Sequence, residues 1–235
     1  MLRSDRAQVV SLFDVEDVEQ MPKVRDMTVG PVSTSDVREF VRRYHYIGSD
    51  SSAWRWGLWH GPVLYGVIGF NVLTANVSRS VFGDEDSHRV WHMTRLVAAD
   101  ASPRNSESRL IGGTLRAIER NHQHVWAVLT YAATDVGHIG YVYQATNALY
   151  TGLAAGGECY YLNSQGERQS RRTLDVSDYG GAPLAERARR RGWVRVDVPR
   201  KHRYVYILGN KAERRARRKL LRYPILPYPK VEGHA

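Results

Sequence analysis

The chain has 235 residues, 43% of them hydrophobic, and a formal net charge of +10. That allows one large domain, or one domain with an appendage, around a sizeable core. No apolar run approaches the ~18 residues of a transmembrane helix, the first twenty residues carry no signal-peptide core, and the single cysteine, Cys159, excludes an internal disulfide and a multi-cysteine zinc site, so a cytoplasmic setting without membrane is expected.

In chain order, residues 1–25 read as a loosely attached arm, and "VRDMTVGPV" reads as a strand. Ser35 or Asp36 should cap a helix running to about Tyr44, with Asp36 and Glu39 at capping-box spacing. The helix ends in "RRYHYIGS", whose His45 could be a base, a metal ligand or a structural histidine. "WRWGLWHGPVLYGVIGFNV" reads as a hairpin turning at His-Gly-Pro, with Trp54 and Trp56 on one strand face. "SRSVFGDEDSHRV" reads as a polar loop and "WHMTRLVAAD" as a strand ending before Asp100. Arg95, a charge beside an apolar run, implies a pocket or an ion pair.

"SPRNSESRLIGGTLRAIERNH" reads as a loop feeding a helix, with Arg109, Gly112 and Gly113 at the junction. Glycine lets a ligand approach the backbone, and free N–H groups at a helix start attract phosphate; glycine pairs also serve helix packing. "VWAVLTYA" reads as a fifth strand and "GHIGYVYQATNALYTGL" as a helix. Tyr131, Asp135 and His138 then lie beyond the strand end, where open α/β sheets bind ligands. On that helix Gln144, Asn147 and Tyr150 share a face, as do Tyr143, Asn147 and Tyr150. "ECYYLNS" and "RYVYILG" read as later strands, and "YPILPYPK" as an extended end.

Residues 1–167 carry a charge of about −3 and residues 168–222 about +13, counting Lys and Arg against Asp and Glu. Such asymmetry favours a polyanion, nucleic acid before membrane, with a solubilising tail as the bland reading. Arg187, Arg189, Arg190 and Arg191, and Arg214, Arg215, Arg217 and Arg218 in the helical "ERRARRKLLR", are the phosphate-contact candidates. A homodimer is compatible with this composition.

The spacing of "SRLIGGTL" resembles the R/Q-x-x-G-x-G/A acetyl-coenzyme A motif of the GNAT acyltransferases, with Thr114 at the last small position. The order of elements around it is similar to the GNAT order, in which the later helix carries an Asn and a Tyr. "RYHYIG", "TRLVAAD", "NSESRLIGGTLRAIE", "LTYA", "GHIGYVYQATNALYTG" and "KHRYVYILG", spanning about residues 40–209, together resemble the Mom family of phage DNA-modification proteins. The resemblance implies an α/β, GNAT-like acyltransferase fold with a mixed, splayed central sheet flanked by helices. The chain then reads as three regions: an arm (1–25), a GNAT-like catalytic domain (26–210) and a basic, proline-rich tail (211–235).

For function, the resemblance implies conversion of adenine N6 in DNA to a carbamoylmethyl form that protects phage DNA from host restriction, with acetyl-CoA or a related acyl donor and an iron dependence. The implied catalytic residues are His45, Arg95, Asp135 and Tyr143, with Tyr150 beside them, and the implied cofactor contacts are Arg109, Gly112, Gly113 and Asn147. The family's acid directly follows Tyr-Ala, where this chain has Ala133; either Asp135 takes its place through a shifted loop, or the acid is missing. If iron takes part, His45 and Asp135 are ligand candidates, but no spacing such as H-x-D assigns a metal site. Two rivals stand beside this reading: a GNAT acetyltransferase acting on a protein, small molecule or RNA, and a non-catalytic GNAT-like DNA-binding protein.

Overall fold

The computed structural model describes residues 10–11, 21–45, 50–134, 137–155, 158–169 and 183–230. The chain divides into two compact units. One comprises Met1–Thr130, Tyr141–Thr151 and Tyr204–Tyr228; the other comprises Tyr131–Gly140, Gly152–Arg203 and Pro229–Ala235.

The first unit carries most of an eight-stranded mixed sheet. Its strands are β1 (Val10–Ser11), β2 (Thr28–Pro31), β3 (Trp54–His60), β4 (Val63–Val72), β5 (Val90–Ala98), β6 (Ala127–Ala132), β7 (Leu149–Leu153) and β11 (His202–Ile207), in the order β2-β3-β4-β5-β6-β11-β7, with β1 pairing in parallel on β4. β3 and β4 form the expected hairpin, and β4 is buried along most of its length, as a central strand should be. β5 and β6 run parallel, joined by α3 (Ser106–Asn121). Their pairing covers Val90–Ala127, Trp91–Val128 and His92–Leu129, at the start of β5, so the sheet splays as the GNAT-like layout implies.

α1 (Thr34–Tyr44) starts slightly earlier than its sequence indicates, because Ser33 is the cap and accepts from the Asp36 amide at 3.1 Å. Part of the expected polar loop is helix. α2 (Ala75–Phe82) buries Ser78, Val81 and Phe82 and stops at Gly83, whose φ of 94° only glycine adopts readily.

α3 buries Leu110, Ile111, Thr114, Ala117 and Ile118, a helical stripe. The expected loop-to-helix junction at Gly112 and Gly113 lies instead at Asn105; both glycines are inside α3. A Cβ on Gly113 would overlap the Val29 side chain on β2, so this glycine permits close helix–strand packing.

The expected helix over 137–153 is also corrected. Only Tyr141–Ala145 is helical (α4), and Leu149–Leu153 is β7. Asn147 adopts the left-handed conformation (φ 62°), its amide bonds to the Gln144 carbonyl and the Ala148 amide bonds to the Tyr143 carbonyl. That pair of bonds is a Schellman ending, and it stops the helix after little more than one turn.

In the second unit β8 (Glu158–Leu162), β9 (Arg168–Gln169) and β10 (Val194–Val198) form a small antiparallel sheet. α5 (Leu184–Arg190) precedes β10, and Tyr161 and Ala188 form a core with Cys159, Leu184 and Trp193. The sequence indicated β8, not β9, α5 or β10. The last helix, α6 (Lys211–Leu220), belongs to the first unit.

Candidate active site

His45 follows α1 in extended conformation, its amide donating to the Val41 carbonyl at 3.0 Å. Arg95 lies on β5 just past an irregularity. Gly69 pairs with Arg95 but Phe70 with Met93, leaving Thr94 as the extra residue of a β-bulge. A bulge re-aims the side chains beside it. The Arg95 guanidinium donates to the Thr94 carbonyl at 2.6 Å, and its charge is felt at His45. Burial first, then Arg95, hold the imidazole below its ordinary value of 6.5. His45 is therefore neutral at neutral pH and able to take a proton.

The bulge is fastened by residues the sequence did not single out. The Asp50 carboxylate, with no exposed side-chain surface, accepts from the Ser52 hydroxyl at 2.5 Å, the Ser52 amide at 3.1 Å and Arg55 Nε at 3.0 Å. The Ser52 hydroxyl is in turn 2.7 Å from the Thr94 hydroxyl. Burial raises the Asp50 pKa, but Ser52 and Arg55 more than offset it, so the carboxylate titrates below its usual range. A Cβ on Gly69 would overlap the Ser52 hydroxyl, which ties this bracket to β4. Asp50 and Ser52 lie in an ordinary-looking "SDSS", and only the pairing of distant strands gives them partners.

A second polar group gathers around α4 and β11. The Tyr143 ring centroid lies 5.4 Å from that of Tyr204, and Tyr204 lies 5.2 Å from Tyr150. Gln144 donates to the Tyr204 hydroxyl at 3.1 Å, and the Thr146 and Tyr206 hydroxyls are 2.6 Å apart. Burial pushes Tyr204 up to about 12, partly offset by Gln144, and it raises Tyr206 further. The extended C-terminal segment is laced to this group: the Leu226 amide bonds to the Tyr150 carbonyl and the Tyr228 hydroxyl to the Ala148 carbonyl, both at 2.9 Å. Tyr150 is on a strand, so the expected helical face of Gln144, Asn147 and Tyr150 does not exist. Tyr204 and Tyr206, two apart on a strand, were the available signal for this cluster.

Beyond β5, a groove of about 430 Å³ is lined by Ser102, Arg104, Asn105, Ser106 and Ser108 at the start of α3 and by Tyr141 of α4, among others. The expected cofactor residues are elsewhere occupied. Arg109 donates to the Met27 carbonyl at 3.0 and 3.3 Å, Gly113 packs on Val29, and Asn147 ends α4. The first turn of α3, which has no side-chain cap, suits a phosphate-bearing donor, but the Ser102 and Ser106 hydroxyls donate to the Tyr65 and Pro103 carbonyls, and Glu107 at the same turn opposes an anion. Asp135 lies outside the described residues. Among the described residues no group of three or more His, Cys, Asp or Glu could hold a metal ion.

The basic candidates divide in the same way. Arg190 pairs with Glu186 at 2.7 Å, and Arg191 lies 5.4 Å from the Trp193 ring centroid; Arg187 and Arg189 share α5 with Arg190. Arg214 bonds Glu119 at 2.7 Å. Arg217, with 12% of its side chain exposed, donates to the Leu208 carbonyl, pairs with Glu213 and lies 5.1 Å from the Trp126 ring centroid. Arg215 and Arg218 are exposed.

Sequence over most of the chain places the protein in a known class. The Mom protein family model matches residues 26–230, and the chain belongs to that family. Among individual proteins, it is 27% identical over 209 residues to "Methylcarbamoylase mom" of Escherichia phage Mu, covering 88% of this chain and 85% of that one. Similar solved structures include the ribosomal-protein-S18-alanine N-acetyltransferase from Escherichia coli (9% identity, 78% of this chain, 95% of that one, TM-score 0.44). A Bacillus subtilis acetyltransferase in complex with CoA is another (10% identity, 78% of this chain, 98% of that one, TM-score 0.41). No helix among the described residues is long and apolar enough to cross a membrane.

Proposed function

We propose that the protein is a transferase that converts adenine N6 in DNA to a carbamoylmethyl form, protecting phage DNA from restriction. The observation that carries the reading is the family match over residues 26–230, which includes His45, Arg95 and Tyr143. The transferred unit is CH2–CO–NH2, so N6 bonds to the methylene carbon of an activated donor held in the groove at the start of α3, as the bond from that carbon to the donor's leaving group breaks. Adenine N6 is a weak nucleophile because its lone pair is delocalised into the ring. His45, neutral through burial and the charge of Arg95, takes the N6 proton as the new N–C bond forms. Arg95 stabilises the negative charge that builds on the carbonyl oxygen of the transferred group. The Tyr143 hydroxyl donates a proton to the leaving group. Asp135 is the alternative base for the same proton. A duplex base reaches such residues only when turned out of its stack.

The test is mass spectrometry of nucleosides from DNA of cells making the protein. Carbamoylmethyladenine in the native sample and its absence with His45→Gln is the expected result. Unmodified adenine in both, with acetyl transfer to an amine in vitro, would make the protein an ordinary acetyltransferase. Unmodified adenine with DNA binding alone would make it a non-catalytic binder.

A further inference from the structure

We infer that the outer face of α6, formed by Lys211, Arg215, Arg218 and Lys219, is the surface that grips the phosphates of duplex DNA; this rests on the proposed activity and names where its substrate is held. At 100° per residue these four positions fall on one stripe about 100° wide. All four are exposed, and none forms an ion pair among the described residues. The stripe holds no carboxylate, because the helix's one acid, Glu213, is on the other side.

That other side is occupied with fastening the helix. Arg217 and Glu213 pair at i,i+4, and Arg217 also reaches the Leu208 carbonyl at 2.7 Å and the Trp126 ring. Arg214 and the Gly209 amide both bond Glu119 of α3, at 2.7 and 2.9 Å. A complete capping box at Asn210 fixes the first turn. The basic residues of α6 are therefore of two kinds, those that anchor the helix and those it presents.

The presented side has a shape that suits a backbone. Ala212 and Ala216 lie along one edge of the stripe and leave a depression of about 460 Å³ lined by Lys211, Ala212, Arg215, Ala216 and Lys219. From 211 to 219 the helix rises ~12 Å. One strand of duplex carries a phosphate every ~3.4 Å of axis, so about three or four phosphates run alongside the four cations. A stripe of exposed cations with no carboxylate and no large apolar side chain within it matches a polyanion rather than a protein surface.

The experiment measures binding of a labelled duplex over a range of salt concentrations. The full-length native protein is compared with the variant Lys211→Ala, Arg215→Ala, Arg218→Ala, Lys219→Ala. Each lost contact removes ~0.9 from the slope of log affinity against log salt, so the slope should flatten by about 3 to 4, equally for unrelated sequences. A control removing the same charge elsewhere, Lys23→Ala, Arg25→Ala, Arg38→Ala and Arg116→Ala, should leave most of the slope intact. Should the quadruple variant fail to fold, Arg215→Gln with Arg218→Gln should give about half the change. An unchanged slope in the α6 variants, or an equal loss in the control, overturns the assignment of this face. Nucleoside analysis of the native protein reads the activity separately: modified adenine with an unchanged slope sinks only the face, and absence of modified adenine sinks the activity.

Discussion

At the scale of single residues, His45 is neutral because it is partly buried and because Arg95 sits beside it. His45→Gln should lower modification by roughly 10²–10⁴-fold, the usual cost of losing a general base, with the melting temperature held. In the native enzyme the acid limb of the rate profile should inflect below the ordinary imidazole value of 6.5, because the group must be unprotonated to act. A limb at or above that value would show that another group is the base. Tyr143→Phe should cut the rate by a similar factor without unfolding; a drop in melting temperature like that of a core variant would make Tyr143 a packing residue. Gly69→Ala tests the bracket behind the bulge. The new methyl collides with Ser52, which Asp50 holds in place, and the cost should be about 1–3 kcal/mol in urea unfolding. Adding Ser52→Gly should recover part of it, and strict additivity of the two changes would show that the contact is not the cause.

At the scale of elements, two motifs legible in the sequence acquire different physical meanings in the fold. "LIGG" resembles a phosphate loop, yet the glycines lie within α3 and serve its approach to β2. Gly113→Val should therefore destabilise the whole protein in thermal melts, not merely weaken a donor; an unaltered melting temperature with lost acyl-coenzyme A binding would restore the loop reading. "YQATNALY" has helical spacing, yet Asn147 turns left-handed and the chain leaves as a strand. Asn147→Gly should be tolerated. Asn147→Val should cost ~1–2 kcal/mol or more, since a β-branched residue resists positive φ. Equal stability of the two variants would mean that the Schellman ending does not hold this turn. Local pattern could not decide between helix and strand here, because one residue's backbone conformation settles it.

At the scale of the whole molecule, burial of histidines makes stability depend on pH. His45, His122 and His202 all have lowered pKa values, burial being the largest cause in each, with Arg95 adding at His45 and His124 at His122. Below the ordinary value of 6.5 the unfolded chain binds protons that the folded protein resists, so stability should fall as pH drops from about 6.5 toward the lower folded values. Asp50 adds a loss at more acid pH, below its ordinary 3.8, as its carboxylate is protonated out of the Ser52 and Arg55 bonds. Urea midpoints from pH 8 to pH 4 should be flat at the alkaline end and decline below about 6.5. A midpoint that stayed level down to pH 5 would show these imidazoles to be solvated.

The sequence by itself determined the hairpin at β3 and β4, the alternation of strand and helix from β5 to β6, the concentration of basic charge after residue 167 and the family. Those features are encoded by local periodicity, charge counts and short motifs, which need no knowledge of distant neighbours. Tertiary structure decided which polar residues share a neighbourhood and which charges remain available. Ser52 meets Thr94 because strands far apart in sequence pair with a bulge between them. Arg217 turns inward to Trp126 while Arg215, two positions away, faces water, because a helix has two sides and the packing of α6 chooses which is covered. Composition counts both arginines alike; only long-range contacts separate the one that holds the fold from the one left to meet a partner.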